Sequence, residues 1–130
     1  MKFRPIPLLL AVVVLVFAAC SDDDDPVDSG GGSGQPPVIS RVSWTHEAGC
    51  TPGVSSPVTI QVEVTDPDTN LSNLSFSGSV TNCGSITSAT TVISCPQLAA
   101  YAGSVTVTDP QGNSDTVTFS FGPCADGQTP

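Results

Sequence analysis

Positive charge is scarce in this chain of 130 residues: three Lys or Arg and one His stand against twelve Asp or Glu. Lys2 and Arg4 lie at the extreme N-terminus, so beyond it only Arg41 remains. Nucleic acids are held by neutralising phosphates with Lys and Arg, so a nucleic-acid partner is excluded. Direct attraction to anionic lipid headgroups is excluded on the same ground. Histidine is limited to His46, beside Glu47. A Ser-His-Asp group needs its His as the base, and none of the many serines is marked as a nucleophile. His46 therefore reads as a solvated loop residue, and no catalytic residue is assigned. A paired-carboxylate glycosidase wants a cleft, which a domain of about ninety residues seldom has. Trp44 and Tyr101 are the only aromatics with a polar atom. Helical periodicity is also missing beyond residue 20, save for one short turn expected over Gln97–Tyr101.

The N-terminus is informative. Lys2 and Arg4 precede a ten-residue apolar run, Leu8 to Phe17. A membrane helix needs about twenty apolar residues; this run has the length of a signal-peptide core. It closes on Leu15-Val16-Phe17-Ala18-Ala19-Cys20 and turns abruptly acidic at Ser21-Asp22-Asp23-Asp24-Asp25. These residues resemble the processing site of a bacterial lipoprotein. Ala18 and Ala19 fit, while Phe17 stands where the family usually has Leu. The resemblance implies removal of residues 1–19 and a lipid on Cys20, so the membrane is a partner only through that anchor. An ordinary secretory signal cleaved near Ala19 is the alternative. Ser21 is not the Asp that often retains Gram-negative lipoproteins at the inner membrane, so an outer-membrane lipoprotein of the cell envelope is expected. The Ser-Asp-Asp-Asp-Asp run also resembles the surface-export signal of some Gram-negative lineages; read from charge alone, it is a solvated acidic spacer.

Residues 20–35 form a tether. Its Gly and Ser make a flexible coil with an r.m.s. reach of about 20–25 Å, and Pro36-Pro37 stiffens the junction with the domain. The chain has five cysteines. An odd number in an exported protein leaves one thiol to explain, and a lipid on Cys20 explains it. Cys50, Cys83, Cys95 and Cys124 then allow three disulfide connectivities in an oxidising compartment.

From Val38 the hydrophobic pattern has period two. Val58, Ile60, Val62 and Val64 alternate with Thr59, Gln61, Glu63 and Thr65. Val105 and Val107 alternate with Ser104, Thr106 and Thr108; Val117, Phe119 and Phe121 with Thr116, Thr118 and Ser120; Val42 and Trp44 with Arg41, Ser43 and Thr45. Such segments are strands with one buried and one wet face. Weaker strands are expected near Leu74 and Phe76 and over Thr90–Cys95. Turn residues separate them, and six or seven short strands over residues 36–124 predict an all-β antiparallel sandwich. Residues 125–130 are read as a disordered tail.

Two stretches, Val-Glu-Val-Thr-Asp-Pro-Asp from Val62 and Gly-Ser-Val-Thr-Val-Thr-Asp-Pro-Gln-Gly-Asn from Gly103, resemble bacterial immunoglobulin-like domains, including the PKD and cadherin-like groups. The Trp-Asp-Phe-Gly-Asp-Gly signature of PKD domains is absent; Leu74-Ser75-Phe76-Ser77-Gly78 stands near that place. The expected fold is therefore an immunoglobulin-like β-sandwich in the broad sense. In that fold the first strand often runs parallel to the last, which implies pairing of Cys50 with Cys124; Cys83 and Cys95, close in sequence and flanking a hairpin-like segment, are the other expected pair. A four-thiolate zinc site is disfavoured, because closely spaced cysteine pairs are missing. The same fold sends the loop bearing Asp66, Asp68 and Asn70 and the loop bearing Asp109, Asn113 and Asp115 to one end. Calcium held by these oxygens is one reading; Asp and Asn bonding their own backbone in turns is the other.

The function expected is a lipid-anchored, non-enzymatic envelope module with a structural or adhesive role, its partner an envelope protein or a glycan. One alternative is a glycan- or protein-binding module presenting Trp44 and Tyr101, although Trp44 shares the parity of Val42 and so reads as core. The other is a calcium-dependent adhesion domain. No cofactor is expected apart from that calcium.

Overall fold

The structure is a computed structural model and describes residues 34–130. The alternating segments form strands β1 (Val38–His46), β2 (Ser56–Thr65), β3 (Ser75–Val80), β4 (Gly84–Ile86), β5 (Thr90–Cys95), β6 (Tyr101–Thr108), β7 (Ser114–Phe121) and β8 (Gly127–Gln128). They make two antiparallel four-stranded sheets, ordered β5-β2-β1-β8 and β4-β3-β6-β7. The expected immunoglobulin-like sandwich is present. β4 and β8 are too short for the hydrophobic pattern to reveal. The leader, Cys20 and most of the tether lie outside the described residues.

The core follows from parity. Val58, Ile60 and Val62 of β2 and Val105 and Val107 of β6 point inward from opposite sheets and are buried. The outer face of β3, β6 and β7 carries Ser75, Ser77, Ser79, Ser104, Thr106, Thr116 and Thr118, and its hydroxyls pair across strands, as Thr106 with Thr116 at 2.8 Å. Small hydroxyl side chains satisfy a solvated face without making it adhesive.

β1 departs from simple alternation. Its pairing with β2 shifts register between Ile39 and Arg41. The extra residue lets Ile39 face inward together with Val42, Trp44 and His46, although the parities differ.

The tail also departs from expectation. Residues 125–130 are not loose: β8 pairs with β1 at Ser43 and Trp44, and Thr129 exchanges bonds with Val42, its N–H donating to the Val42 carbonyl and its hydroxyl accepting the Val42 N–H. The tail covers the outer edge of β1, which otherwise presents unpaired backbone groups. The helical turn expected over Gln97–Tyr101 is absent; Tyr101 opens β6, and the one 3₁₀ turn among the described residues is Leu71–Asn73, capped by the Asn70 side chain accepting from the Ser72 N–H.

Candidate functional site

The strand directions give the sandwich two unlike ends. The tether enters at one, beside the β2–β3 and β6–β7 loops. At the other end lie the β1–β2, β3–β4 and β5–β6 loops and the segment following β7.

At the tether end the two acidic loops do converge. A Cβ placed on Gly34 would lie 2.8 Å from Asp68 Oδ2 and 3.7 Å from Asn113 Nδ2. The incoming chain, however, passes between them, and most of the oxygens accept hydrogen bonds, Asp66 Oδ2 being buried without a partner among the described residues. Asp66 Oδ1 accepts from the N–H groups of Asp68 and Thr69, at 3.1 and 2.8 Å. Asp68 Oδ2 accepts from the Gln35 N–H at 2.9 Å. Both carboxylate oxygens of buried Asp109 accept from Asn113, one from its backbone and one from its side chain, each at 2.8 Å. Asp115 Oδ2 accepts from the Ile39 N–H at 2.8 Å and ties β7 to β1. Among the described residues no three His, Cys, Asp or Glu side chains gather as a metal site. The hydrogen bonds of Asp66, Asp68, Asn70, Asp109, Asn113 and Asp115 are those of the turn-forming reading: short polar side chains satisfy local N–H groups that the turns leave unpaired.

At the far end Cys50 is joined to Cys124, with Cα atoms 5.5 Å apart, and Cys83 to Cys95, with Cα atoms 4.5 Å apart. These are the two expected pairs. β1 and β7 run in the same direction, in different sheets: Ile39 meets Asp115 at their starts and Trp44 stacks on Phe119 and Phe121 near their ends. Cys50 and Cys124 lie just beyond those two ends.

Trp44 and Tyr101 do not form a sugar platform. Both are buried. Trp44 donates its indole N–H to the Ala125 carbonyl at 2.9 Å, and the Tyr101 hydroxyl accepts the Leu98 N–H at 3.0 Å. Each has turned its polar atom toward backbone, as buried Trp and Tyr usually do.

His46 is not solvated either. It ends β1 on the inward face, with its ring edge on Phe121, and Asp126 Oδ1 lies 2.6 Å from its backbone N and 3.1 Å from its Nδ1. The signal was in the sequence: His46 shares the parity of Val42 and Trp44. These hydrogen bonds, the backbone one first, hold the Asp126 carboxyl below its ordinary 3.8. At Asp66 burial works against ionisation, but the hydrogen bonds from Asp68 and Thr69 outweigh it and the carboxyl again lies below 3.8.

Both groups therefore bind protons less readily folded than unfolded. Their stabilisation is complete above 3.8 and is lost as pH falls through their lower folded values. The melting temperature is expected to hold between about pH 7 and 5 and to drop below about pH 4. Asp126→Asn is expected to make that drop shallower. Circular-dichroism melts across this range check it; an equally steep drop in the variant would remove Asp126 from the account.

The feature that the sequence did not announce is the β5–β6 loop. Gln97 is buried and Leu98 exposed, the reverse of their ordinary preferences. Gln97 Oε1 accepts the Cys124 N–H at 2.8 Å, and its carbonyl accepts the Gly53 N–H at 2.8 Å. Its Nε2 has no partner among the described residues. Gln97, Asn82 and Cys124 are the described non-glycine residues with positive φ, at 52°, 61° and 51°, and all three lie at this end. A groove of about 400 Å³ opens between the β3–β4 and β5–β6 loops, bordered by Asn82, Pro96, Leu98 and Ala100.

No family model matches the chain, and no curated protein matches it. Among solved structures it is similar to the PKD1 domain of Vibrio anguillarum Epp: 25% identity over 68% of this chain and 93% of that one, with a TM-score of 0.49.

Proposed function

We propose that the chain is a lipid-anchored, non-enzymatic immunoglobulin-like module of the bacterial cell envelope, held at the outer membrane through Cys20, with a structural or adhesive role. The observation that supports it most is the cysteine arrangement. Four of the five cysteines pair within the sandwich, and Cys20 comes directly after an apolar leader that ends in Phe17-Ala18-Ala19. Two disulfides in a small domain fit an oxidising compartment. The acidic run after Cys20 favours water over the bilayer. A single acyl chain gives marginal membrane binding, so the anchor needs more than one.

Metabolic labelling with a radioactive fatty acid is expected to mark the wild-type chain and not Cys20→Ala. Intact mass is expected to show a chain beginning at residue 20 with acyl chains attached. A retained leader, or an unmodified residue 20, would sink this reading. Protease accessibility on intact cells then tells an outward-facing domain from one facing the periplasm.

A further inference from the structure

We propose that the end of the sandwich opposite the tether is a docking surface for a partner protein, and that it receives an apolar segment flanked by basic residues. Leu98 and Val54 are its exposed anchors, 73% and 57% accessible. Their backbone segments meet, since the residues preceding them, Gln97 and Gly53, are joined by a hydrogen bond of 2.8 Å. Beside Leu98 lies the groove bordered by Asn82, Pro96 and Ala100, with Tyr101 at its floor. A lone exposed Leu on a surface means little; several apolar residues on one loop end, around a groove, mark a place where another molecule sits.

Slack does not explain the exposure. Gln97 is 1% accessible and anchors the loop from within, holding both the Cys124 N–H and the Gly53 N–H. The Tyr101 hydroxyl takes the Leu98 N–H, and the Cys83–Cys95 disulfide closes the strand just before the loop. The loop is thus fixed in the conformation that turns Gln97 in and Leu98 out. Asn82, which lines the groove, and Gln97, between the lining residues Pro96 and Leu98, both occupy the left-handed backbone region, which non-glycine residues avoid. Strain of this kind persists where the surroundings enforce it, and it collects at binding sites. A surface already rigid loses little freedom on binding.

Two observations select the occupant. The first is charge. The exposed ionisable groups at this end are Glu47 and Asp126; Arg41, the one Lys or Arg among the described residues, pairs with Glu63 away from it. With both of its exposed charges acidic, this end favours a basic partner and repels a second copy of this acidic chain. The second is position. Gly34 enters against Asp68 and Asn113, and β1 then carries the chain nine residues to the far end, about 30 Å at the rise of a strand. The groove therefore faces away from whatever holds the tether. Only that direction rests on the anchoring reading; the surface itself does not.

The test uses the full-length chain purified in mild detergent and a random twelve-residue peptide library on phage. Selected peptides are expected to combine adjacent apolar residues with Lys or Arg. Their affinity is expected to fall at least tenfold in Leu98→Asp, severalfold in Val54→Asp and with added salt, and to be unchanged in Thr116→Ala on the hydroxyl face. Because Leu98 and Val54 are exposed, unaltered melting temperatures should accompany the loss. No enriched peptide, or binding indifferent to Leu98→Asp, would overturn the proposal. So would self-association by sedimentation, or binding on a glycan array, that Leu98→Asp abolishes. Loss of fatty-acid labelling with peptide binding intact would overturn the anchor alone.

Discussion

Replacing Cys50 and Cys124 together by Ala is expected to leave the domain largely unfolded at 37 °C. The bond closes a loop across 74 residues of sequence separation. On the chain-entropy account a loop of that length stabilises by about 4.5 kcal/mol. Domains of this size carry about 5–15 kcal/mol in total, so the loss removes from about 30% to nearly all of the margin. Cys83 and Cys95 are separated by 12 residues. Their removal is expected to cost about 3 kcal/mol, since loop-closure entropy grows only with the logarithm of length. Urea unfolding of the two double variants checks the order. If the short-loop variant were the less stable, the entropic account would fail and native packing around Cys95, which is fully buried, would have to replace it.

Trp44→Ala is expected to be the most damaging single change that leaves both disulfides in place, at about 3–5 kcal/mol. The indole stacks on Phe119 and Phe121 with centroids 5.8 and 5.7 Å away, so it joins the two sheets. Its N–H holds the Ala125 carbonyl, and Gly127 lies so close that an added Cβ would be 2.7 Å from its Cζ2. Truncation therefore opens a cavity, leaves a carbonyl without its donor and removes the wall against which β8 is seated. Hydrogen exchange is expected to accelerate first in residues 125–129, ahead of the core strands β2 and β6. Tyr101→Phe makes the contrast: it removes one neutral hydrogen bond, to the Leu98 N–H, and is expected to cost about 1 kcal/mol. Equal losses from Trp44→Ala and Tyr101→Phe would mean that the aromatic stack contributes little.

The covered edge of β1 bears on behaviour as well as stability. Its outer backbone groups are taken by β8, Thr129 and the Asp115 carboxylate. An exposed strand edge recruits other strands. Closing this edge removes one such template.

Local pattern alone determined much here. Alternation of Val, Ile and Phe with Thr and Ser places β1, β2, β6 and β7, because side chains on a strand change face at every residue and only one face is buried. It also makes Trp44 a core residue. What the pattern could not supply is any relation between segments far apart in the chain. The register slip near Ser40, which turns Ile39 inward, depends on how β1 meets β2. The ordering of residues 125–130 depends on the free edge of β1, and their polar, glycine-containing sequence reads as a tail until that edge is in place. Asp66, Asp68, Asp109 and Asp115 have the composition of a cation site. Which of their oxygens remain available was decided by which backbone N–H groups the packed sheets brought within reach. The inversion at Gln97 and Leu98 is of the same kind. Residue type puts Gln outside and Leu inside. Only the meeting of three loops at one end of the sandwich, with the Cys124 and Gly53 N–H groups needing acceptors there, turns the polar side chain inward and leaves the apolar one for another molecule to cover.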